Sequence, residues 1–346
     1  EGRGMPTGTR KVQKVGKSTF TVSLPQEWVK KNRVQAQTEV DIQTLSDGNL
    51  KIATMDNAKG VSQNREITIV TKESDAGYLV REALAAYIAN YDIIKLDLTG
   101  LTLDPTARNK IRRMIKYKMA GGEIIEESVN YITIQILLRP YEFPLDKLLM
   151  RMATMVKDML ADISKAIDRK DKDILRDVME RDEDVDKLYF MGSRWLTNIM
   201  SDMSSLKDYG VRDLKDCLEY KLAFRHIERV ADHVYRIASK FMEVIDGIDS
   251  DLATTIVSNI EIAGNVFIRS VNCLQNGSLT EANKAIHDAR KASVGAEELM
   301  RRVIDQDLHT KVIGAMIIVI DSTRRIAEYG IGIAELAFNI HVSAEM

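Results

Sequence analysis

All five prolines of this chain, Pro6, Pro25, Pro105, Pro140 and Pro144, fall at or before position 144. Proline removes a helix hydrogen bond and clashes with the preceding turn, so the roughly two hundred residues that follow are free to run as long helices. Apolar residues recur there at the three-and-four spacing of a helical face. The pattern predicts six helices, over 145–168, 171–200, 207–243, 249–275, 279–305 and 308–340. The last three repeat the first three. Arg229-Val230-Ala231-Asp232 with Ile237-Ala238 recurs in the same register as Arg325-Ile326-Ala327-Glu328 with Ile333-Ala334. Two three-helix bundles in tandem follow from that repeat.

The stretch from Leu218 to Lys240 is the centre of this region. One apolar stripe runs through Tyr220, Phe224, Ile227, Ala231, Tyr235, Ala238 and Met242. A second, through Leu218, Leu222, Val230, Val234, Ile237 and Phe241, lies roughly opposite, so the helix is expected to pack between neighbours. Glu228 and Asp232 stand one turn apart beside a basic strip of Lys221, Arg225, Arg229 and Arg236. On the helix over 171–200, Asp182 sits within a stripe of Val178, Val185, Tyr189 and Leu196, with Asp186 one turn on. A carboxylate on an apolar face is costly to bury alone, so Asp182 calls for a donor, a charged partner or a metal. Four carboxylates from two helices make an all-oxygen site suited to Mg, Mn or Fe. The plain alternative is ion pairing within one helix, Arg225 with Glu228 and Asp232 with Arg236. The Glu-x-x-His pairs of a di-iron oxidase are missing, since His226 and His233 do not have that spacing, and His233 reads as a packed or surface residue.

With 346 residues, 45% hydrophobic, 29% charged and a net charge of -2, the chain has the composition of a soluble protein with no global attraction to nucleic acid. Its charge is uneven. Arg10, Lys11, Lys14, Lys17, Lys30, Lys31 and Arg33 are opposed near the N-terminus only by Glu27, which places any polyanion site there. Cys217 and Cys273 lack metal or redox spacing and read as reduced thiols of a cytoplasm-like compartment. The longest apolar run, Val312 to Ile320, is well short of the ~20 residues that span a bilayer. No signal peptide is recognisable ahead of the first strand, and Glu1 to Gly4 read as a cloning remnant before Met5-Pro6. A cytoplasmic location without membrane insertion is expected.

Residues 9–53 read as short strands around a short helix, QEWVKKNR, with a hairpin turn at Asp47-Gly48. So short a segment buries little, and a second copy is expected to complete its core. RKVQKVGKSTFTVSLPQEWVKKNRV, followed by EVDI and DGNLKI, resembles the AbrB/MazE/SpoVT swapped-hairpin DNA-binding family: a basic strand, a turn at Gly16, an apolar strand ending in Leu24-Pro25, and a short helix. Where that pattern has Gly-Asp-Glu-Val, this chain has Gln37-Thr38-Glu39-Val40, without the glycine. The resemblance implies a homodimer or higher assembly that binds double-stranded DNA, with Arg10, Lys11, Lys14 and Lys17 meeting phosphates. A basic module that only dimerises is the alternative. Residues 65–138 alternate strand and helix, with strands at 67–70, 93–98, 124–125 and 131–137 and helices at 76–90 and 105–119, a small α/β sandwich. The basic residues of its second helix, Arg108 to Lys118, read as a solvated face.

The residues Arg181-Asp182, Val185-Asp186-Lys187-Leu188-Tyr189, Asp213-Leu214-Lys215 and Ile227-Glu228-Arg229-Val230-Ala231-Asp232-His233 resemble the PhoU family of phosphate-signalling proteins, in which Asp-Leu-Arg stands for this chain's Asp-Leu-Lys. The resemblance implies two three-helix bundles and a metal, Fe, Mn, Mg or Zn, on Asp182, Asp186, Glu228 and Asp232. A weaker second site is expected at Glu297 and Glu328, because Arg324 and Ser293 replace its other acids. The whole chain is thus expected to be multidomain α+β: a swapped-hairpin β domain over 1–54, a small α/β domain over 55–144, and an all-α tandem of two three-helix bundles over 145–342. The expected function is a DNA-binding transcriptional regulator of phosphate uptake with a metal-binding sensor bundle. The alternative is an adaptor acting on a phosphate-system histidine kinase or transporter ATPase. No nucleophile with a base, no histidine-rich site and no phosphate-cradling loop is visible, so neither an enzyme nor an organic cofactor is expected.

Overall fold

A computed structural model describes residues 9–44, 48–54, 64–70, 75–138, 143–201 and 203–345. The chain divides into two compact units, 1–63 and 64–346. In the first, β1 (Gln13–Val15) pairs antiparallel with β2 (Thr19–Thr21), placing Lys14 opposite Phe20 across a turn that holds Gly16 at φ +68°. Helix α1 (Gln26–Lys31) follows, then β3 (Val40–Thr44) and β4 (Leu50–Thr54) form a second antiparallel hairpin. Gly48 lies in its turn at φ +80°, while Asp47, the other half of the predicted turn, is outside the described residues. Without a glycine, the entry to β3 still contains a left-handed residue. Gln37 itself takes the left-handed conformation, φ +72°, at a cost of about 1 kcal/mol for a residue with a Cβ. Thr38 secures the turn, its Oγ1 accepting from the Gln35 N–H at 2.9 Å. Among the described residues of this unit no hydrophobic core forms. The two hairpins form separate two-stranded sheets, α1 buries no residue, and Val12, Val15, Phe20, Val22, Ile42 and Leu50 are all exposed, Phe20 by 67%.

The second unit opens with β5 (Glu66–Val70), α2 (Ala76–Ile88), β6 (Ile93–Asp97), α3 (Pro105–Lys118), β7 (Gly122–Glu127) and β8 (Tyr131–Ile136). Sheet order is β5-β6-β8-β7, with β5 and β6 parallel and the other pairs antiparallel. Capping fixes both helix starts: the Asp75 carboxylate accepts from the Gly77 and Tyr78 N–H groups, and Asp104 caps α3 ahead of Pro105. Strand alternation sends Ile94, Leu96, Ile132, Ile134 and Ile136 inward against Leu79, Ala83, Tyr87, Ile111 and Ile115 of the helices, and leaves Lys95 on the open face.

Six long helices follow: α4 (Leu145–Arg169), α5 (Lys172–Ser201), α6 (Asp216–Val244), α7 (Ser250–Asn276), α8 (Leu279–Ile304) and α9 (Thr310–Glu345). The third starts later than the apolar pattern predicts. Residues Met203–Tyr209 form a tighter 3-10 helix, and Gly210, at φ +71°, interrupts the chain before α6. Helices α4, α5 and α6 pack on one another, as do α7, α8 and α9, and the two triads meet through α6 on α9 and α4 on α7. At the α5–α6 contact Gly192 admits the Phe224 ring so closely that a Cβ there would stand 2.9 Å from Phe224 Cζ. The second apolar line of α6 is buried only in part: Val230, Val234, Ile237 and Phe241 are covered, but Leu218 and Leu222 are exposed, because nothing packs over the first turns on that side. The α/β layer docks on the first triad through α2 and α3 against α5; no comparable packing joins it to the second among the described residues.

Candidate functional site

The mutual packing of α5 and α6 carries Asp182, Asp186, Glu228 and Asp232 into one electrostatic neighbourhood. Asp182 is half-buried. Burial first, and then the charges of Asp186, Asp232 and Glu228, push its pKa up to about 7, with Lys118 opposing. Glu228, only 9% exposed, is pushed up to about 7 by burial and by Asp232, against Arg225 and Arg229. Burial also raises Asp232, opposed chiefly by Arg229. The cause is physical: four acids gathered where water is scarce cannot all ionise freely.

Protein cations answer most of this charge. Arg225 Nη1 lies 3.0 Å from Glu228 Oε1, and Arg229 Nη1 2.8 Å from Asp232 Oδ2. The predicted partner of Asp232, Arg236, is exposed; Arg229, three residues back, takes its place. Asp186 receives Lys118 Nζ at 2.9 Å, from the C-terminal end of α3. Glu228 Oε2 is buried without a hydrogen-bond partner, its nearest cation being Arg229 Nε at 3.8 Å. Among the described residues no group of three or more His, Cys, Asp or Glu side chains is arranged to hold a metal ion. The donor chemistry, oxygen only with one unsatisfied buried atom, suits a hard cation such as Mg or Mn; the positions those donors take here suit the lysine and arginines that hold them.

Lys118 is the residue that sequence reasoning missed. The signal was present in the basic helix α3, read as a solvated face. Instead, Arg108 and Arg112 bind Glu127 of β7, Arg113 Nη2 lies 2.8 Å from Glu183 Oε1, and Lys118 enters the acid cluster. Deeper in the same seam Arg194 of α5, 5% exposed, donates to the carbonyls of Tyr87 and Tyr91 and to Asp92. His226 and His233 pack against Tyr329 of α9, with ring centroids 5.6 and 5.9 Å away. Burial holds His233 neutral down to about 4, helped by Arg236.

The second triad answers its charge internally. Arg324, at the place of Glu228, bonds Asp321 at 2.7 Å and Glu328, with Arg325 on the other Glu328 oxygen. Glu297 lies near enough to add to the field on Arg324, whose pKa is raised, first by its hydrogen bond to Asp321. Glu328 therefore holds guanidinium groups, and Glu297 adds only its field to that of Arg324. In the N-terminal unit, Arg10 and Lys11 precede β1, Lys14 lies on it and Lys17 in its turn; all four are exposed, and none forms an ion pair among the described residues.

No helix among the described residues is long and apolar enough to cross a membrane. Residues 149–241 match the family model described as the PhoU domain, a segment that spans most of the first triad and holds all four carboxylates. No curated protein matches the chain. Solved structures similar to it include two PhoU proteins. The phosphate transport system regulatory protein PhoU from Streptococcus pneumoniae is 12% identical, with a TM-score of 0.48, over 57% of this chain and 94% of that one. PhoU from Pseudomonas aeruginosa is 15% identical, with a TM-score of 0.49, over 57% and 96%.

Proposed function

We propose that this protein is a PhoU-type regulator of a phosphate system, not an enzyme, whose N-terminal unit dimerises and binds double-stranded DNA. The observation that carries the first part is the PhoU-domain match over 149–241, the segment in which the four carboxylates gather. What supports the second part is the N-terminal unit itself. An isolated two-stranded hairpin is marginal in water, and this unit has two of them with their apolar side chains uncovered. A second copy interleaving its hairpins is the economical way to cover Val12, Val15, Phe20, Val22, Ile42 and Leu50, and it would double the basic row of Arg10, Lys11, Lys14 and Lys17. Two such rows on a rigid platform suit phosphates on one duplex. The first triad is the sensor in this reading: Asp182, Asp186, Glu228 and Asp232 would hold a divalent or ferric cation, which supplies positive charge where one carboxylate oxygen is unsatisfied.

A second reading is favoured by the same domain match: an adaptor in which the hairpins only dimerise and the helical region contacts a phosphate-system kinase or transporter ATPase. Titration of the full chain against phosphate-transport promoter DNA and a scrambled duplex at two salt concentrations separates the two. Promoter-selective, salt-sensitive binding that weakens at least tenfold in Arg10→Ala is expected. Equal or absent binding to both duplexes leaves the adaptor.

A further inference from the structure

The two triads differ in what covers their outer helices. In the first, the α/β layer lies on α5, where Arg113 meets Glu183, Lys118 meets Asp186, and Lys187 donates to the Lys116 carbonyl. At the spacing that pairs Asp186 with Glu297, the positions of Glu183, Asp186 and Lys187 correspond to Val294, Glu297 and Glu298 of α8. All three are exposed, Val294 by 66%, and no comparable layer packs over them among the described residues. Beside that face runs a groove. Two cavities of about 520 and 460 Å³ lie between α7 and α8 and share Thr255, Leu299 and Arg302, so they form one trough. It is open because its walls are small: α7 contributes Thr254, Thr255, Ser258 and Asn259, and α8 contributes Gly295, where a Cβ would meet nothing within 4 Å. Its floor is apolar, with Leu252 and Leu299 buried and Ile262 exposed at one end. From Asp249 to Ile262 the trough follows α7 for about 20 Å at 1.5 Å per residue, the length of roughly four turns of another helix.

The charge on the rim selects the occupant. Asp249, Asp251, Glu298 and Asp307 line the trough against a single guanidinium, Arg302. Arg302 lies 3.6 Å from Glu298, both side chains being exposed, and Asp249, Asp251 and Asp307 form no ion pair among the described residues. An acidic rim over a narrow apolar floor is complementary to a helix with a line of aliphatic side chains flanked by cations. The chain already packs a helix of that kind on its first triad. Helix α3 carries Arg108, Lys110, Arg112, Arg113, Lys116 and Lys118 and no acid, while burying Ile111, Met114 and Ile115. That helix is held on α5, so the corresponding face of α8 takes its occupant from outside the chain.

We propose that the groove between α7 and α8, with the adjoining outer face of α8, docks a basic amphipathic helix of a partner protein. The aliphatic side chains of that helix enter the trough above Leu252 and Leu299, and its cations meet Asp249, Asp251, Glu298 and Asp307 along the rim. The surface belongs to the second triad and uses neither the four carboxylates of the first nor the basic row of the N-terminal unit, so it stands or falls apart from cation and DNA binding.

The test uses the full chain and a fluorescein-labelled peptide of about 18 residues, Leu and Lys set in the three-and-four helical pattern, with binding followed by fluorescence anisotropy. Two further peptides serve as controls: the same residues in scrambled order, and the same pattern with Glu in place of Lys. The patterned basic peptide is expected to bind about tenfold or more tightly than either control. Gly295→Leu, which fills the trough where there is open space, and Glu298→Lys, which reverses one rim charge, are each expected to weaken it about tenfold. In the wild type the peptide is expected to slow amide exchange over residues 254–262 and 294–302, a measurement that decides the matter even where a variant fails to fold. Equal binding of the scrambled peptide reduces the effect to charge attraction, and unchanged affinity in Gly295→Leu or unchanged exchange over both segments places the peptide elsewhere; each overturns the proposal. Protection of those segments that grows with the chain's own concentration, without peptide, gives the face to a second copy and overturns the partner helix.

Discussion

In the first triad α5 and α6 gather Asp182, Asp186, Glu228 and Asp232, whereas the corresponding positions of the second triad hold Ser293, Glu297, Arg324 and Glu328. The backbone arrangement is repeated; the charge is not. In the second copy Arg324 stands between Asp321 and Glu328, with its pKa raised by both. The first is open: two acids, Asp182 and Glu228, have their pKa values pushed up to about 7, and one counter-charge comes from another layer of the protein. A repeated scaffold can thus keep one copy as a structural ion-pair cluster and leave the other with a surplus of acid.

The sharpest way to break this contrast is to detach the layer that supplies Lys118. Arg194→Met leaves Asp92 and two carbonyls without their buried donor and is expected to cost about 3 kcal/mol in urea unfolding. Stability within error of the wild type would show that the layer is held by apolar packing alone. Next is Arg324→Ala, which gives the second triad a surplus of acid like the first; a loss of about 2 kcal/mol is expected at neutral pH, recovering in acid. An unchanged unfolding midpoint would mean that the charge difference between the triads is decorative.

Smaller effects concern pH. The Asp182 pKa rises from 3.8 when unfolded to about 7 when folded, so the folded state binds the extra proton and stability falls as pH climbs from about 4 to about 7. Asp182→Asn in EDTA is therefore expected to exceed the wild type by about 1–2 kcal/mol at pH 8, discounted for partial solvent access, with the gain vanishing near pH 4. His233 has the opposite slope. Its pKa falls from 6.5 to about 4, so its contribution is complete above 6.5 and is lost as pH drops towards 4. His233→Gln is expected to flatten that acid limb by about 1 kcal/mol, measured as the difference in unfolding free energy between pH 7 and pH 4.5. An acid limb that keeps its full slope in the variant would move the titration to another group.

Much of the molecule was legible before any coordinates. The helices predicted at 145–168 and 279–305 are observed as Leu145–Arg169 and Leu279–Ile304, because an unbroken three-and-four pattern is a local property. The start of α6 was misplaced because an apolar pattern does not distinguish a 3-10 turn from an α-helix, and only Gly210 in its left-handed conformation marks the break. The four carboxylates were legible as pairs one turn apart on two helices.

The sequence by itself determined where the helices lie, that they repeat, and that one copy carries more acid than the other. Tertiary structure alone decided what answers that acid. Spacing offered Arg236 to Asp232, yet the rotation of α6 against its neighbours turns Arg236 to solvent and gives the place to Arg229. Lys118 and Asp186 are 68 residues apart, on elements of different domain type. Helix periodicity follows from bonds between near neighbours along the chain, whereas a charge pairs with whatever the packing of distant elements leaves within a few ångströms, and no local pattern records that.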